Sequence, residues 1–67
     1  MDFKKTNPAV IKTMFSQMDK KTFIKNMQLL KEELSNVEVT YRNRNYRLSL
    51  LNLYRWGVNF YLNKFKK

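Results

Sequence analysis

Neither cysteine nor histidine occurs in this 67-residue chain. The first absence excludes disulfides, thiolate metal sites and thiol nucleophiles, and the second removes the usual general base and metal ligand near neutral pH. A single glycine leaves no material for a glycine-rich phosphate loop. The five acids are Asp2, Asp19, Glu32, Glu33 and Glu38, and the one adjacent pair, Glu32 and Glu33, diverges by about 100° on a helix. With no acid–base pair or nucleophile assembled, the chain reads as a non-enzyme without metal, cofactor or small-molecule substrate. Long apolar runs are missing as well. The opening MDFKKTNPAV lacks the apolar stretch of a secretory signal, and no segment approaches a membrane span. A cytoplasmic location is therefore expected, without a membrane partner.

Positive charge is what the sequence has in excess: fourteen basic against five acidic residues, a net of +9. The surplus is uneven, because residues 37–67 hold a single acid, Glu38. All four arginines lie between Arg42 and Arg55, and every lysine lies outside that window. Arginine presents a fork of donors suited to phosphate, whereas lysine is a hydrated point charge that also serves simply to keep a small protein in solution. Asparagine and lysine together supply 18 of the 67 residues, a bias compatible with an AT-rich phage or mobile element.

The chain is short enough for one compact domain over residues 1–67, close to the lower size limit for a single hydrophobic core, with frayed ends at about 1–6 and 65–67. Asn7-Pro8 marks a helix start, asparagine as cap and proline at the first helical position. Val10, Ile11, Met14, Phe15 and Met18 then share one helical side. Asp19 opens a second helix with a stripe of Phe23, Met27, Leu30 and Leu34, and Ser35-Asn36 closes it.

The segment VEVTYRNRNYRLSL alternates apolar and polar residues. Folded about Asn43-Arg44, it pairs Tyr41 with Tyr46, Val39 with Leu48 and Val37 with Leu50 on one face. A β-hairpin over about 37–50 is expected from this register. Residues 51–66 follow as a third helix, apolar around most of its circumference and therefore central. The predicted fold class is α+β: two N-terminal helices, a β-hairpin and a central C-terminal helix.

In that arrangement Arg42, Arg44 and Arg47 form a cationic hairpin tip. Lys20, Lys21 and Lys25 line the start of the second helix, while Lys12 and Arg55 extend the surface. Clustered guanidinium groups point to phosphate, so the leading expectation is nucleic-acid binding, duplex DNA first, in a regulatory or accessory role with limited sequence specificity. A second stripe on the last helix, Leu53, Trp56 and Phe60, supports the alternative: an inhibitor or adaptor that captures a host protein, or a homodimer.

Overall fold

A computed structural model describes residues 3–66. Three helices follow one another: α1 (Pro8–Ser16), α2 (Lys20–Asn36) and α3 (Arg44–Lys64). Asn7 caps α1, its Oδ1 accepting from the Ala9 amide at 2.8 Å, with Pro8 at the first helical position. That bond satisfies one of the free amides that every helix start exposes. The chain turns within three residues after Ser16, where the Gln17 amide donates to the Met14 carbonyl and the Met18 amide to the Phe15 carbonyl, each at 3.2 Å. Asp19 then stands at the N-cap of α2 in extended conformation.

Both shorter helices pack against α3. The core consists of Phe3, Ile11, Phe15, Phe23, Leu30, Leu50 and Leu53. Phe23 is its hub: fully buried, it meets Phe15 edge-on at 5.5 Å between centroids, stacks on Phe60 at 5.4 Å and lies 5.6 Å from Phe65. Offset and edge-on ring pairs of this kind add to what area burial alone provides. Gly57 is buried where α3 approaches Met27 of α2. Of the ends expected to fray, Phe3 joins the core and Phe65 packs against Phe23. Met1, Asp2 and Lys67 lie outside the described residues. No helix among the described residues is long and apolar enough to cross a membrane.

The α+β class and its β-hairpin over 37–50 are not what the chain adopts. Among the described residues there is no strand, and the domain is all-helical. Residues 37–43 form a tight loop instead, in which Asn43 Nδ2 donates to the Glu38 carbonyl at 3.2 Å and the Asn43 amide to the Thr40 carbonyl at 3.2 Å. Two physical reasons account for the difference. A two-residue hairpin turn of the favoured kind needs left-handed backbone at both central positions, which suits Asn-Gly and not Asn-Arg. Among the described residues, none has a positive φ. Moreover, Tyr46, Leu50, Leu53 and Gly57 recur every three or four residues, so a helix turns them all toward the core, where the last three are buried. An isolated hairpin gains little by comparison. The alternation at Tyr46, Leu48 and Leu50 was half of a helical stripe: α3 starts at Arg44, and Leu48 faces solvent.

Candidate nucleic-acid interface

With the hairpin gone, the arginines take new positions. Arg42 lies in the turn before α3, Arg44 is the first residue of that helix, and Arg47 follows one turn later. Arg55 sits about 16 Å further along the axis, on the same side as Arg44. Arg42, Arg44 and Arg55 are exposed. Arg47 is half-buried, and its Nε is enclosed without a hydrogen-bond partner. Arg44 and Arg47 share a groove with Val39, Thr40, Tyr41, Leu48 and Leu51.

Lys20 and Lys21 open α2, and Lys25 follows on its exposed side. Lys20 Nζ stands 5.9 Å from the centre of the Tyr61 ring, near the C-terminal end of α3. In a molecule 39 Å long, the lysine group and the Arg42–Arg47 group therefore occupy opposite ends.

Three cations stand over aromatic rings in the C-terminal half of α3. Lys64 Nζ donates to the Ser16 carbonyl at 3.0 Å, tying α3 to the C-terminus of α1. The same ammonium lies 5.3 Å from the Phe60 ring and 5.4 Å from Phe65. Lys12 Nζ lies 5.9 Å from the Trp56 ring, which stacks on Phe60 at 5.2 Å. Lys12, Lys20 and Lys64 thus come from three different helices to stand over aromatic faces, within the range where ring quadrupoles attract cations. Beside them runs a groove of about 530 Å³ lined by Trp56, Asn59, Phe60, Asn63 and Lys64. Asn59 and Asn63, one helical turn apart, offer amide donors and acceptors to it. An aromatic wall, paired amides and ammonium groups are the chemistry that contacts bases and phosphates together.

Sequence reasoning missed Lys64, Asn59 and Asn63 as members of a site. The bond joining Lys64 to Ser16 spans 48 residues, and no local pattern announces it. Of the apolar trio proposed as anchors, Leu53 is buried in the core, while Trp56 and Phe60 are half-buried.

Electrostatically, α3 carries four cations and no carboxylate. Arg44 and Arg47 occupy its N-terminal turn, where the helix macrodipole is itself positive, so an approaching anion relieves repulsion there. Near the other end of the molecule, the Thr22 side chain beside Asp19 lowers that carboxyl below its ordinary pKa of 3.8. No protein-family model matches the chain, and no curated protein or solved structure matches it either.

Proposed function

We propose that this protein binds nucleic acid, with phosphate contacts dominating and duplex DNA as the reference ligand, in a regulatory or accessory role. The observation that carries this reading is that Lys12, Lys20 and Lys64 each stand over an aromatic ring in the C-terminal half of α3, on a chain whose net charge is +9. Such a surface attracts a polyanion irrespective of sequence and gains affinity from released counterions. The exposed arginines on α3 extend the cationic field along the molecule. Anchoring of a foreign protein by Leu53, Trp56 and Phe60 is the weaker reading, since the buried Leu53 has little surface to offer.

The test is an anisotropy titration of a labelled duplex at two salt concentrations. Log affinity is expected to fall with log salt at about −0.9 per neutralised phosphate. The Lys12→Ala, Lys64→Ala double variant should flatten that slope by about two contacts. No binding at low salt overturns the proposal.

A further inference from the structure

On the side of α3 facing away from the core, six residues repeat with alternating spacings of four and three: Arg44, Leu48, Leu51, Arg55, Val58 and Leu62. This is the spacing of a coiled-coil seam. Its apolar members all keep exposed surface: Leu48 and Leu62 are each 48% exposed, and Leu51 and Val58 each 38%. A helix that buries one face against α1 and α2 and leaves a second seam-spaced apolar row in solvent has a vacant packing surface.

We propose that this row pairs with the same row of a second copy, antiparallel, about a two-fold axis midway between Leu51 and Arg55. The inference goes beyond the nucleic-acid reading and does not depend on it. Antiparallel pairing sets Arg44 against Leu62 of the second copy, Leu48 against Val58, and Leu51 against Arg55. Each arginine then lays its aliphatic stem on a leucine and extends its guanidinium to water. A parallel pairing would instead oppose Arg44 to Arg44 and Arg55 to Arg55.

The flanks are self-complementary in the same register. On one side Asn45, Asn52 and Asn59 recur every seven residues, so that Asn52 meets Asn52 and Asn45 meets Asn59. Each amide both donates and accepts, which lets identical side chains pair. On the other side Tyr54 meets Tyr54. A row built for an acidic foreign helix would have cationic flanks. Here the flank of Asn45, Asn52 and Asn59 is neutral and pairs with its own copy, while the cations Arg47, Lys20 and Lys31 lie on the other flank beside α2; the self-pairing neutral flank makes a second copy the better fit. Val39 and Tyr41, 77% and 91% exposed, border the groove beside Arg44 and Leu48, where Leu62 of the second copy would arrive. Two copies each carrying +9 repel one another at long range, so salt should strengthen this association while it weakens nucleic-acid binding.

Sedimentation equilibrium of the full chain, free of nucleic acid, tests the proposal. A mass twice the 8.2 kDa of the monomer, favoured by added salt, is expected. Leu51→Arg, which opposes a second cation to Arg55, should return the monomer with unchanged helical circular dichroism. The absence of native cysteine allows a register check with a short bis-maleimide. Asn52→Cys should cross-link to itself in high yield. Asn45→Cys should not, since its two copies would sit about 24 Å apart along the axis. A monomer at all concentrations and salts overturns the proposal, as does a dimer unaffected by Leu51→Arg. Equal cross-linking at positions 45 and 52 overturns the antiparallel register.

Discussion

Gly57 of α3 and Met27 of α2 meet with no room for a β-carbon between them. A methyl group at position 57 would overlap the Met27 sulfur and lie 2.7 Å from its Cε. The obstacle is the far end of a flexible thioether, which can move aside. Gly57→Ala therefore sets a gain in helix propensity of about 1 kcal/mol against the repacking of Met27. The expected net change is within about 1 kcal/mol of wild type by urea denaturation. In a Met27→Ala background the same substitution should be clearly stabilising, and that coupling is the signature of the contact.

Phe23→Ala empties the centre of the aromatic cluster. Truncations of buried phenylalanine cost about 3–5 kcal/mol, a large share of what a domain this small possesses. The variant is expected to lose cooperative thermal unfolding, with near-ultraviolet dichroism from the aromatic rings collapsing first.

Asn7→Ala removes the side-chain acceptor for the Ala9 amide. A loss of about 1 kcal/mol is expected, while Asn7→Asp should be close to neutral. Denaturant midpoints at neutral pH separate the two.

Lys64→Met keeps the aliphatic stem over Phe60 and Phe65 but removes the ammonium. Duplex affinity should fall, and the salt slope should decrease by about one contact. Loss of affinity with no change in slope would place Lys64 outside the phosphate surface.

Asp19 supplies a pH dependence whose sign follows from its lowered pKa. A carboxyl held below its ordinary value of 3.8 contributes stability that is fully present above that pH. The contribution disappears as pH falls through the still lower folded-state value. Carboxyl titration by NMR should show Asp19 moving back toward 3.8 in Thr22→Val, because the first cause of the shift is the Thr22 side chain.

The helix start at Asn7-Pro8 was legible because its cap is local, Asn7 holding the Ala9 amide; α2 likewise runs from just after Asp19 to Asn36, although Asp19 makes no side-chain cap bond. The third helix was misread because Tyr46, Leu48 and Leu50 satisfy both a strand period and part of a helical one. Only the extension of the stripe to Leu53 and Gly57, together with the missing glycine at Asn43-Arg44, decides between them. Cation identities could be read directly, but their grouping could not. Lys12, Lys20 and Lys64 are set over rings of α3 by helix packing, and the arginine group at 42–47 lies at the loop before α3. The solvent-facing row on α3 is partly visible in the sequence, since a helix over 51–66 puts Leu51, Val58 and Leu62 in one apolar stripe with Tyr54, Tyr61 and Phe65. The helix divides that stripe: Leu51, Val58 and Leu62 turn outward, and the half-buried aromatics border the bundle.

Because α1, α2 and α3 close their backbone hydrogen bonds internally, the described residues present no β-edge on which another chain could template. Oligomer growth by strand addition is thus denied to the folded state. Copies must meet through side chains alone, an association that ionic strength and single substitutions can titrate and reverse, unlike the cross-β route to insoluble fibres.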